Sequence, residues 1–230
     1  MIRTNAAESD FITRIFAYFR QSVIVFKSQS IYQVQFFDTV PFNYSQRELT
    51  GSLGSIGNKM PIEVGGDIFF LSPPGGFYRL TEVIQENITV LPVAISEPIQ
   101  PVIEQINWAV TVLKGCSAVL DNYVLFGVAL GVGSRACNAV LAYNTQSRQW
   151  ESVPDTWQDP SFNFDALHVV NYAGVQRLFA IDYLNACVYL MYEGVNDELQ
   201  SGIWGVPFKM ETRGYVGQDP VSCKRSFRAK

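Results

Sequence analysis

Val64-Gly65-Gly66-Asp67-Ile68-Phe69-Phe70-Leu71-Ser72-Pro73-Pro74-Gly75-Gly76 places a short run of large apolar residues between two groups of turn formers. Gly65-Gly66 brings freedom in φ, and Pro73-Pro74-Gly75-Gly76 joins fixed to free φ, so the chain is expected to reverse at both ends of the run. A continuous apolar run bounded in this way suits a strand buried on both faces. With residues 61–64 before it and 77–83 after it, the segment reads as an antiparallel meander.

Three more sets of short apolar or alternating runs repeat this form. Residues 12–16, 23–26 and 31–36 make the first set, with Arg20-Gln21-Ser22 and Ser28-Gln29-Ser30 as its turns. Residues 118–120, 123–130, 138–143 and 149–153 make a four-stranded set, and residues 166–172, 177–181 and 186–192 make the last. The most apolar strand of each set begins at Val23, Ile68, Tyr123 and Leu178, at spacings of 45, 55 and 55 residues. Units of this size cannot bury both of their own faces, and packing face to face around an axis is the logic of propeller blades. The expected fold is therefore mainly β and propeller-like, with antiparallel meander blades in a complete or partial set. An immunoglobulin-like sandwich accounts for the strands but not for the recurring apolar second strand.

Ser96-Glu97-Pro98-Ile99-Gln100-Pro101-Val102-Ile103-Glu104-Gln105-Ile106-Asn107 interrupts the β pattern. A serine ahead of a proline-containing first turn, with Ile99, Val102, Ile103 and Ile106 at helical spacing, predicts one short helix near 98–107. Blades are expected over 1–195, and a C-terminal strand or tail segment over 196–230.

Composition narrows the classes of function. Hydrophobic residues make up 48% of the 230 residues and charged residues 17%, below the ~25% of an ordinary soluble chain. Disorder is excluded by this balance, and 17 basic against 21 acidic residues, a net charge of -4, offers no basis for polybasic recognition. Residues 1–11 lack the apolar region of a secretory signal. The longest uncharged apolar stretch, 122–134, is 13 residues, short of the ~18 to 20 that a membrane-spanning helix needs. Cys116, Cys137, Cys187 and Cys223 show no C-x-x-C spacing and have one histidine, His168, for company, so buried reduced thiols are expected rather than zinc.

Candidate chemistry is sparse. His168 lies in an alternating strand and reads as a hydrogen-bonded structural residue. Ser72 lacks the G-x-S-x-G context of a nucleophile elbow, and Gly131-Val132-Gly133 lacks the third glycine, helix and lysine of a phosphate loop. Asp155, Asp159 and Asp165 cluster with Trp157, Phe162 and Phe164, the materials of a glycosidase or a carbohydrate-binding face. The same aromatics suit an interchain contact, and Trp157, Phe162 and Phe164 are taken as a candidate interface. No residue is assigned a catalytic, cofactor-binding or metal-binding role, and no cofactor is expected. The last 22 residues are locally basic but lack the interleaved aromatics of a nucleic-acid surface.

Several motifs, in order, resemble one family. Ile12-Thr13-Arg14-Ile15, Ser22 to Tyr32 (SVIVFKSQSIY), Val64 to Gly76, the Ser96-Glu97-Pro98-Ile99 segment, Ala142-Tyr143-Asn144-Thr145 to Trp150, Thr212-Arg213-Gly214-Tyr215 and Lys224-Arg225-Ser226-Phe227 look like the β-propeller virion proteins of tailed bacteriophages. The likeness spans roughly residues 12–227. It implies a tail or nozzle (tail tubular type) structural protein, made in the host cytoplasm and resident in the virion. Such a protein would form a homo-oligomeric ring that contacts adjacent tail or neck proteins and passes DNA without specific binding. Chains of that group are generally longer, which implies blades supplied by other chains or a collar, adaptor or ring-subunit role. The alternatives are a carbohydrate-binding or glycoside-cleaving receptor-binding propeller and a host-encoded interaction scaffold.

Overall fold

The computed structural model describes residues 10–18, 22–37, 43–73, 75–83, 89–152 and 163–191, together with the backbone of 196–199 and 202–205. Among the described residues the chain is mainly β, laid out as antiparallel meanders that follow one another in sequence order. The first sheet holds β1 (Ile12–Tyr18), β2 (Ser22–Lys27), β3 (Ile31–Phe36) and β4 (Tyr44–Thr50). The second holds β5 (Ile62–Val64), β6 (Asp67–Ser72), β7 (Gly76–Val83) and β8 (Thr89–Ala94). The third holds β9 (Cys116–Leu120), β10 (Tyr123–Val128), β11 (Ala139–Asn144) and β12 (Gln149–Ser152). The fourth is three-stranded, β13 (Ala166–Tyr172), β14 (Val175–Asp182) and β15 (Cys187–Met191), and β16 (Asn196–Leu199) pairs with β17 (Gly202–Gly205). Two compact units divide the chain, Met1–Met191 and Tyr192–Lys230.

β6 shows why the meanders stack. Its apolar residues leave no polar face, so both sides of the strand must be covered. Ile68 and Phe70 pack with Phe16, Ile24, Phe26 and Ile31 of the first sheet, with the Phe26 and Phe70 rings edge to face at 5.1 Å. Phe69 and Leu71 point the other way, into a core with Val124, Phe126 and Leu141 of the third sheet. Phe77 on β7 meets Phe126 at 4.5 Å and Trp150 at 5.1 Å in that core. The turns at either end of β6 require glycine, since Gly65, Gly66 and Gly76 have φ of +62°, +89° and +105°.

The first strands of the second, third and fourth sheets lie beside one another, with β9 against both β5 and β13. Between the third sheet and β13, Phe164 is fully buried, and a Cβ placed on Gly127 would stand 2.6 Å from its ring and 2.8 Å from Cys116 Sγ. Glycine there lets Phe164 close on the sheet.

Three expectations need correcting. The predicted single helix over 98–107 is a 3₁₀ turn (Glu97–Ile99) running into α1 (Gln100–Ile103), and a second helix, α2 (Trp108–Lys114), follows. The buried stripe is retained, with Ile99, Ile103 and Ile106 in the core between the second and third sheets. Ser96 makes no side-chain cap; it is buried, and its hydroxyl donates to the Gly75 carbonyl at 3.4 Å. β4 and β8 complete the first two sheets, where the sequence pattern indicated three strands each. β4 is polar and mostly exposed, as suits an edge that should not recruit further strands.

Candidate functional site

Charged residues gather where the chain enters the first strand of each of the first four sheets. Ahead of β1, Asp10 sits over the β2–β3 turn and accepts hydrogen bonds from Ser28 Oγ at 3.0 Å, Gln29 N at 2.8 Å and Ser30 Oγ at 2.5 Å. Lys27 Nζ lies 2.9 Å from its carboxylate and 5.4 Å from the centroid of the Tyr32 ring. Burial disfavours the charged carboxylate, but the bonds from Ser30, Lys27, Gln29 and Ser28 outweigh it and bring the Asp10 pKa down to about 2. The ammonium of Lys27, 1% exposed, is thus matched by a carboxylate that stays ionised. This arrangement is a lock that ties the segment before β1 to the sheet.

A second cluster joins three later strand starts. Lys114, at the end of α2 and just before β9, places Nζ 2.6 Å from Oδ1 of Asp165, just before β13. The other carboxylate oxygen of Asp165 accepts the Tyr183 amide at 3.3 Å. Lys59, ahead of β5, donates from Nζ to the Asp165 carbonyl at 3.1 Å and stands 5.6 Å from the Tyr183 ring centroid. The Lys59 carbonyl in turn accepts Ser117 N and Oγ. The Ser117 hydroxyl is engaged by the Lys59 carbonyl, and the network ties the starts of β5, β9 and β13 together.

Of the expected interface aromatics, Trp157 and Phe162 lie outside the described residues, as do Asp155 and Asp159. Phe164 is buried at 0% exposure and bridges to Cys137 through its backbone, and Asp165 is ion-paired, so neither offers a face to a ligand. Ser72 is buried in β6, and His168 is exposed on β13. Cys116 and Cys137 are buried free thiols, and Cys187 is half-exposed; Cys223 lies outside the described residues. The hydrogen bond with Cys116, together with burial, pushes the Cys137 thiol well up. Among the described residues no cluster of His, Cys, Asp or Glu could hold a metal ion, and no helix is long and apolar enough to cross a membrane.

The feature that composition and motif reading missed is a surface. β13, β14 and β15 bury Leu167, Leu178, Ala180 and Met191 on one side of the fourth sheet. On the other side Val170, Tyr172, Val175, Val188 and Leu190 are 47%, 70%, 54%, 64% and 40% exposed. The alternation in these strands runs between two apolar sets. Leu178-Phe179-Ala180-Ile181, apolar at consecutive positions, is the sequence signal for it.

No protein-family model matches the chain, and no curated protein matches it.

Proposed function

We propose that the protein is a non-enzymatic structural component of a phage virion, placed in the tail or neck, where it assembles into a ring around the DNA channel and contacts adjacent tail proteins. The observation that carries this reading is the series of meander sheets whose second strands are apolar on both faces. Each sheet needs a neighbour on either side, and the fourth sheet's outer face is apolar where the series reaches it. Propeller-like packing of the sheets, with the first strands innermost, is in keeping with β9 lying between β5 and β13. A net charge of -4 suits a passage through which DNA slides without being held.

The carbohydrate-directed alternative drew on Trp157, Phe162 and Phe164 with the carboxylates Asp155, Asp159 and Asp165; of these, Phe164 and Asp165 are engaged inside the chain, and the other four lie outside the described residues. The structural reading is tested by quantitative mass spectrometry of purified phage particles that encode this chain. Several copies per particle, retained in isolated tails or necks, are expected. Absence from the particles would overturn the reading.

A further inference from the structure

We infer that the β2–β3 turn is a preformed carboxylate-binding site, which the chain fills with its own Asp10 and which takes a small free carboxylate when Asp10 is removed. The donors are arranged to suit such a ligand. Ser28 Oγ and Gln29 N reach one oxygen of Asp10 at 3.0 and 2.8 Å, and Ser30 Oγ and Lys27 Nζ reach the other at 2.5 and 2.9 Å. Two donors for each of two oxygens match a carboxylate, and one ammonium answers one negative charge. Lys27 is 1% and Ser30 5% exposed, so these bonds are made away from bulk water, where they are strongest.

The frame of the site is held by contacts that do not involve Asp10. Lys27 N donates to the Ser30 carbonyl at 2.9 Å and closes the turn, and Ser55 N donates to the Lys27 carbonyl at 2.9 Å from outside it. Gly54 packs so closely on the turn that a Cβ there would collide with the backbone of Lys27, Ser28 and Gln29. The Lys27 ammonium lies 5.4 Å from the Tyr32 ring centroid, and the Tyr32 hydroxyl is fixed in turn by its bond to Glu48 at 2.8 Å. Asp10, by contrast, arrives on a segment with little cover. Phe11 is 65% and Ile12 53% exposed, and the Ser28 amide donates to the Phe11 carbonyl at 2.9 Å. A ligand carried by the chain itself acts at a high effective concentration, so a free anion does not displace it from the wild type. Taking Asp10 away leaves the donors in place and shielded from water, and such groups gain from a new acceptor. The segment ahead of β1 and an acidic group from outside therefore compete for one place. The inference is independent of the proposed function, since it concerns the first sheet alone.

Thermal melting of the full chain at neutral pH, in chloride, formate and acetate of equal ionic strength, tests it. Asp10→Ala deletes the carboxylate alone, the size of a formate, and Asp10→Gly deletes a group the size of an acetate. Both variants are expected to melt below the wild type in chloride. Formate should restore roughly half or more of the lost melting temperature to Asp10→Ala, the gain rising with concentration as binding to the folded state requires. Acetate should do the same for Asp10→Gly and little for Asp10→Ala. The wild type and Asp10→Asn, whose sites are filled, should gain nothing, and Lys27→Met added to Asp10→Ala should abolish its gain. Variants that melt with the wild type in chloride overturn the inference, as does melting in formate and acetate no higher than in chloride. An equal gain by the wild type would be a general effect of the salt and also overturns it. Sulfate outperforming both carboxylates would mark a site for anions at large, against the carboxylate assigned. Where a variant does not fold in chloride, its yield on refolding in each salt replaces the melting temperature, and no recovery in formate or acetate overturns the inference.

Discussion

Lys114 Nζ stands 2.6 Å from Oδ1 of Asp165, which joins the residues that lead into β9 and β13 across 51 positions of sequence. Asp165 is almost wholly buried and Lys114 is 41% exposed, so the two ends of the pair respond differently to loss of the other. A freed Lys114 can return to water, but a freed Asp165 cannot.

Lys114→Met is therefore expected to cost more stability than Asp165→Asn. Roughly 2 to 4 kcal/mol is expected for the first and 1 to 2 for the second, because breaking a buried pair leaves an uncompensated charge. The double variant should fall short of the sum of the two losses. Urea unfolding of the four proteins of this cycle checks the relation, and strict additivity would show that the pair is not coupled.

Asp10 sets an acid limit on the first sheet. Its pKa lies at about 2, below the 3.8 of an unperturbed aspartate, so its contribution is fully present above 3.8 and disappears as pH falls through about 2. Asp10→Asn is expected to lower stability at pH 7 by about 1 to 2 kcal/mol. The unfolding midpoints of the two proteins should converge as pH is taken from about 4 toward 2. A constant gap over that range would mean that the carboxylate is not the source of the difference.

Gly127 is a packing requirement rather than a turn. Gly127→Ala puts a methyl into the Phe164 ring and the Cys116 sulfur, and overpacking of this kind typically costs about 1 to 3 kcal/mol. Shortening the obstacle with Phe164→Leu in the same chain should recover part of that loss, as read by thermal melting.

Thiol reactivity should follow depth. Half-exposed Cys187 is expected to react with an alkylating reagent in the native protein, while Cys116 and Cys137 should react only after denaturation. Peptide mapping of the labelled sites separates the two classes. Rapid native labelling of Cys137 would contradict its place against Phe164.

Much of the fold can be read locally because its strands declare themselves locally. Ile68-Phe69-Phe70-Leu71 between Gly65-Gly66 and Pro73-Pro74-Gly75-Gly76 needs no distant information to be read as a strand covered on both sides. Strands are likewise legible at 23–26, 123–126 and 178–181, which became β2, β10 and β14, although β14 is covered on one side only. β4 escaped notice because Tyr-Ser-Gln-Arg-Glu-Leu-Thr has no apolar face; it is a strand because β3 offers it hydrogen bonds. α2 escaped because Val110, Thr111 and Val112 favour strands in isolation, whereas here Thr111 Oγ1 accepts the Ala129 amide at 3.1 Å inside the core.

By itself the sequence determined the class of the molecule, since short two-sided apolar strands and their turns are encoded by neighbours two or three residues apart. Only the tertiary structure decided which side chains face water. Phe164 and Asp165 look alike in a sequence whether they line a groove or fill a core. Burial against Gly127 and pairing with Lys114 depend on contacts 37 and 51 residues away. Val170, Tyr172 and Val188 look equally ordinary until register brings them to one face. Exposure belongs to the packed sheets as a whole, so no local stretch of residues could specify it.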